Sequence, residues 1–151
     1  MDMQLIMIAT DGSAAARKAL HFAADLARLK RARLLVLHVQ RLRGSEAVPP
    51  ELEELRRVEH VRISERDLLA KVARQLVADA EAEARAEGVG EVEGLVVEGD
   101  PTRCIVETAR ARKPEMLVLG TRGLGDAQSL LLGSVSHKVA HLAPCSCILV
   151  R

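Results

Sequence analysis

Aromatic residues are almost missing from this chain. There is no Trp, no Tyr and a single Phe, Phe22, so aromatics make up 1% of the 151 residues. The core must therefore be built from Leu, Val, Ile and Ala. No row of rings is available for stacking single-stranded bases, which argues against a nucleic-acid partner. Cysteine is scarce as well. Cys104, Cys145 and Cys147 are an odd number without CxxC spacing, too few for a disulfide framework or a closed zinc site. They read as small apolar side chains. Neither sign of charge prevails: 22 Lys and Arg against 21 Asp and Glu leave a net charge of +1, so no long-range field steers the chain to nucleic acid or anionic lipid. No apolar run approaches the ~20 residues that span a bilayer. The opening Met1-Asp2-Met3-Gln4-Leu5 lacks the basic-then-apolar order of a secretory signal. These absences together describe a cytoplasmic protein with no membrane partner.

What is present is a regular alternation. With 48% hydrophobic and 28% charged residues, the chain is long and apolar enough for one folded domain over residues 1–151. Residues 3–9 and 33–39 are near-continuous apolar runs, the pattern of parallel strands buried on both faces. Between them, Ser13 is placed to cap a helix whose inner face is Ala16, Ala19, Leu20, Ala23 and Ala27, running to about Leu29. Residues 40–62 are the least determined: Gly44, Ser45, Pro49 and Pro50 mark a loop, and 51–60 carry a short helical pattern. A long helix is expected over 64–87, with Ser64 and Asp67 as a capping box and Gly88 closing it. Residues 91–98 alternate in part, which predicts a third, less buried strand. Asp100-Pro101 opens the next helix, with Ile105, Val106 and Ala109 inward and Pro114 beyond its end. Residues 116–119 are a fourth strand, 134–142 a helix and 147–150 a fifth strand. Strands alternating with helices define a three-layer α/β domain with a parallel sheet. Ligands in such sheets sit beyond the carboxyl ends of the strands, where Asp11, Val39, Gly99 and Gly120 all fall.

The stretch from Gly120 to Ser134 carries the chemistry. Gly120 and Gly123 can adopt positive φ and leave room for close approach. Gly133-Ser134 starts a helix beside them, whose first N–H groups favour an anion. The Ser134 hydroxyl can cap that helix or donate to phosphate, not both at once. Arg122 adds charge within the loop. No Gly-Lys-Ser/Thr follows, and Gln128 stands where a dinucleotide fingerprint needs its third glycine. Glycine pattern alone leaves phosphate binding and a plain turn both open.

The spacing Gly120-x2-Gly123-x9-Gly133-Ser134 resembles the nucleotide loop of the universal stress protein family. The likeness extends to Thr10-Asp11-Gly12-Ser13, Leu37-His38-Val39, Gly99-Asp100-Pro101 and the terminal Ala143-Pro144-Cys145 segment, and so covers the whole chain. It implies a flavodoxin-like, Rossmann-like five-stranded sheet in the order 3-2-1-4-5. It also implies a homodimer paired through the last strand, Cys147, Ile148, Leu149 and Val150, and ATP or AMP in each subunit. Carried over, Ala9 and Thr10 line the base and ribose side, Asp11 approaches the ribose hydroxyls, and Val39 meets the adenine edge. Gly120, Arg122, Gly123, Gly133, Ser134 and Val135 surround the phosphates, and Leu119, Thr121 and Ser136 also belong to the nucleotide site. Ala9 and Ser146 stand where many relatives have Pro, and Ser146 gives the last strand one more backbone N–H.

No general base is spaced against an evident nucleophile, so the residues point to binding in a stress-signalling dimer with an unknown protein partner. Asp11 is placed to help hold Mg or Mn bridged by the phosphates of ATP. Two rivals stand beside this reading. One is a slow ATP hydrolase or autophosphorylating enzyme with Ser134 or Thr121 as acceptor; the other is a dimer that needs no nucleotide. His137 and His141 have the spacing of a metal pair, but no third ligand follows, and cations at a helix C-terminus explain them more simply. Arg41 and Arg43 read as surface charges in preference to phosphate ligands.

Overall fold

Buried apolar runs become the sheet. The computed structural model describes residues 4–41, 65–121 and 133–151. Five parallel strands, β1 (Leu5–Ala9), β2 (Arg33–Gln40), β3 (Val92–Glu98), β4 (Met116–Gly120) and β5 (Ser146–Val150), lie in the order β3-β2-β1-β4-β5. The central strand β1 pairs with both β2 and β4, which fixes Ile8 opposite Val36 and Val118. Ile6, Met7 and Ile8 have no exposed surface at all, as a central strand covered on both faces requires. β3 is the shallower strand its sequence indicates, with Leu95 to Val97 half-buried. β5 is hydrogen-bonded to β4 on one side only and forms an edge of the sheet.

Alternate strand residues face opposite layers. Ile6, Ile8, Leu34, Val36 and Val118 pack under α1 (Ala14–Lys30) and α2 (Glu65–Ala86), against Ala19, Ala23, Ala27, Ala80 and Ala84. Leu5, Met7, Leu35, Leu37, Leu117 and Leu119 face α3 (Pro101–Arg112) and α4 (Ser134–Leu142), against Ile105, Ala109 and Val139. Small alanines let α1 lie close to the sheet, so little volume is needed to fill the gap in a chain without large rings. The three-layer fold expected from the alternation is the fold observed.

The helix ends follow their sequence signals. Ser13 caps α1 by accepting the Ala16 N–H at 3.1 Å, and Asp100 caps α3 by accepting that of Arg103 at 2.9 Å. Gly88, at φ +100, closes α2: its N–H reaches Arg85 O, and that of Val89 reaches Ala84 O, the paired bonds of a Schellman motif. α1 ends in the same way one residue beyond Lys30, with Arg31 rather than glycine at φ 53. The Ser64 cap and the helical pattern at 51–60 lie outside the described residues, as do Arg43, Arg122 and Gly123. Among the described residues, no helix is long and apolar enough to cross a membrane.

Candidate nucleotide site

Every strand that bears on the site ends at the same edge of the sheet. β1 leads into Thr10-Asp11-Gly12, a turn held by its own side chains. Thr10 Oγ1 accepts the Gly12 N–H at 3.2 Å, and Asp11 Oδ1 accepts that of Ser13 at 2.9 Å. These local bonds are what Thr and Asp offer at turns. Thr10 is fastened further: its N–H donates to Leu37 O, and its carbonyl accepts from His38 Nδ1 at 2.8 Å. A carbonyl can only accept, so His38 carries its proton on Nδ1. His38 is thus a brace that ties the end of β2 to the turn after β1. Behind the turn, Gly12 sits at φ +80 with Leu76 of α2 so close that an added Cβ would lie 2.8 Å from Leu76 Cδ1.

The end of β4 is tied to α4. Ser136, 8% exposed, donates its hydroxyl to Gly120 O at 2.6 Å. The Thr121 N–H donates to Val150 O on β5, and Thr121 O accepts the Gly133 N–H. Gly133, not Ser134, is the N-cap of α4, without a side-chain cap bond; Ser134 is the first helical residue and is exposed. The capping role open to Ser134 in the sequence therefore does not arise, because the helix begins one residue earlier than a serine cap requires. Gly120 also differs from expectation. It is not among the glycines at positive φ. An added Cβ there would lie 2.9 Å from Ala15 C and 3.1 Å from Ala16 N, so glycine lets the first turn of α1 approach β4.

These elements surround an open pocket of about 690 Å³, the solvent in its mouth included. Ala9, Thr10, Asp11, Val39, Leu119, Gly120, Ser134, Val135 and Ser136 line it. Thr121 and Gly133 are bonded to one another beside this wall but do not line it. Ala16, Arg41, Pro101 and Ile105 complete the lining among the described residues. Pro101 and Ile105 read from sequence as helix-start and core positions, and Arg41 as a surface charge. The signal that places them is topological, since α3 begins at the same sheet edge as the other turns.

Chemically the pocket is graded. At one end, Ser134, Val135 and Ser136 are the first three residues of α4, whose N–H groups have no intrahelical acceptor and carry the positive end of the helix dipole. The Ser136 hydroxyl proton is committed to Gly120, so that residue offers an anion its backbone. Asp11 supplies a carboxylate in the middle. Val39, Ile105 and Leu119 add apolar lining, and Arg41 and Pro101 are also in the wall. Among the described residues no group of three or more metal-ligating side chains occurs.

A three-layer domain in the order 3-2-1-4-5, with a polar-to-apolar pocket at the switch between β1 and β4, is the flavodoxin-like class of α/β protein. Within that class the chain belongs to the universal stress protein family, whose sequence pattern it matches over residues 3–151. It is 38% identical over 146 residues, 97% of each chain, to a universal stress protein of Thermus aquaticus encoded in the QAH/OAS sulfhydrylase 3' region. Its structure resembles universal stress protein UspA from Lactobacillus plantarum, with a TM-score of 0.79 at 22% identity, covering 100% of this chain and 99% of that one. It also resembles the universal stress protein from Archaeoglobus fulgidus in complex with dAMP, with a TM-score of 0.68 at 25% identity over 100% of both chains.

Proposed function

We propose that this protein binds an adenine nucleotide, AMP or ATP, in the strand-end pocket and acts as a nucleotide-responsive stress-signalling module. The observation that carries the reading is the order of chemistry along the pocket: apolar side, carboxylate, helix N-terminus. It matches base, ribose and phosphate in turn. The side of the pocket with Val39 and Ile105 receives adenine, Asp11 accepts ribose hydroxyls, and the start of α4 with the glycine loop holds phosphate. The dAMP complex of the archaeal relative supports this direction. Asp11 and the Ser134 hydroxyl are hard oxygen donors that fit a divalent ion, Mg or Mn, which keeps most of its ligands as phosphate and water; such an ion would neutralise charge on a triphosphate.

The module is read as a cytoplasmic homodimer paired through the free edge of β5, presenting its nucleotide state to a protein partner. Holding is favoured over turnover because the hydroxyls near the phosphate end are mostly engaged or hidden: Ser136 is bonded to Gly120, and Thr121 is 6% exposed and outside the lining. Ser134 is the one exposed hydroxyl of that first turn, so it is where autophosphorylation would act. Denaturing the purified protein and chromatographing what it releases, followed by calorimetric titration with AMP and ATP, tests the reading. AMP or ATP in the supernatant and saturable heat are expected. No released nucleotide and no heat at millimolar ligand would remove it. Phosphate on Ser134 by mass spectrometry after ATP incubation would favour the enzyme instead.

A further inference from the structure

We propose that Arg41 is a base-recognition residue, its guanidinium lying over the exposed face of the purine in a pocket whose described lining holds no ring to stack there. The proposal rests on the reading of the pocket as an adenine-nucleotide site. Its starting point is where Arg41 stands. Sheet order places β4 and β2 on opposite sides of β1, so their carboxyl ends are roughly 10 Å apart, two strand spacings. The anion-binding end of the pocket, Gly120 with Ser134 to Ser136, belongs to β4 and α4. Arg41 continues β2 and shares its end of the pocket with Pro101 and Ile105, the start of α3 beside β3. A nucleotide with its phosphate on α4 and its ribose at Asp11 therefore leaves its base, not its phosphate, against Arg41.

The nature of the wall gives the contact its form. Val39 and Ile105 provide apolar surface for one face of a base. No Phe, Tyr, Trp or His is among the described lining residues, and Phe22, the chain's only Phe, Tyr or Trp, is on α1, 44% exposed. Purine sites commonly close the second face with a ring or an arginine plane. Arg41 is exposed at the mouth, and with Asp11 it is one of two charged residues in the described lining. Its guanidinium is flat and weakly hydrated, suited to stacking on a π-face in a way that the compact ammonium of lysine is not.

The test separates base from phosphate. Dissociation constants for AMP and for adenosine are measured by calorimetry or NMR titration on the native protein, Arg41→Ala and Arg41→Lys. The expected result is that Arg41→Ala weakens AMP and adenosine by the same factor, about 3- to 30-fold, and that lysine does not restore it. A loss confined to AMP and repaired by lysine would assign Arg41 to the phosphate and overturn the proposal, as would no loss for either ligand. In the native protein, the Arg41 Nε–H resonance should move upfield on AMP binding, as a ring current above the guanidinium requires; a downfield shift or none overturns stacking. Failure of the native protein to bind either ligand would instead remove the nucleotide reading, and this proposal with it.

Discussion

Ser136 shows how one hydroxyl proton divides the labour of a site. Its bond to Gly120 O clamps the first turn of α4 to the end of β4, so the side chain shapes the pocket while the backbone is left for a ligand. Ser136→Ala should lower stability by about 1–2 kcal/mol, because the buried Gly120 carbonyl loses its donor. It should also weaken AMP binding by displacing α4. Urea denaturation and a binding titration check the two effects separately. Asp11→Asn makes the complementary prediction. The amide oxygen still accepts the Ser13 N–H, so the turn and its stability persist, while the ribose loses a charged acceptor. AMP affinity should fall about 10-fold or more with the urea midpoint nearly unchanged. At this scale the sequence was only partly informative. Asp11, Val39 and the start of α4 were legible because a strand end followed by a polar turn is a local pattern. Gly120 was legible as a glycine but not for its reason, since Ala15 and Ala16, the backbone it must admit, are a hundred residues away in the chain. Arg41 was weighed as a phosphate ligand and read as surface for a like cause: a charge after a strand looks like surface until sheet order places it on a pocket wall.

Among the elements, β5 and β3 are the two edge strands of the sheet. Among the described residues β5 pairs on one side only, and its Ile148 and Val150 are packed on the α1 side while Cys147 and Leu149 serve the other. Ser146 begins this strand, paired in register with Met116. If dimers form through this edge, Ser146→Pro should raise the dimer dissociation constant about 2- to 10-fold, the worth of one backbone donor, as read from sedimentation over a concentration series. Loss of monomer stability with an unmoved dimer constant would instead show that the Ser146 N–H serves β4. The order of elements was readable because uninterrupted apolar runs are the plain signature of strands buried on both faces. Their lateral arrangement was not a matter of local pattern; it came from family likeness. The start of α4 at Ser134 was readable too, while the choice of Gly133 as its cap was not, because Gly133 and Ser134 are both able to precede a helix.

For the molecule as a whole, the thiols make an alkaline limit. Burial pushes the Cys104, Cys145 and Cys147 thiols above their ordinary value, and for Cys147 the neighbouring Cys145 adds to the effect. The folded state then holds these protons more tightly than the unfolded chain. Stability is fully present below the unfolded thiol range, near pH ~8.5, and is lost as pH rises beyond it. The urea midpoint should therefore decline between about pH 7 and pH 10, with a shallower decline when all three cysteines are serine. Thr121 has a consequence at the same scale. Its N–H is given to Val150 on the sheet edge, and its carbonyl takes the N–H of Gly133 at the head of α4. One peptide neighbourhood thus serves two remote surfaces, the pocket and the edge. Whatever factor nucleotide occupancy contributes to pairing along β5, pairing must return to nucleotide affinity, because the two equilibria close a thermodynamic cycle.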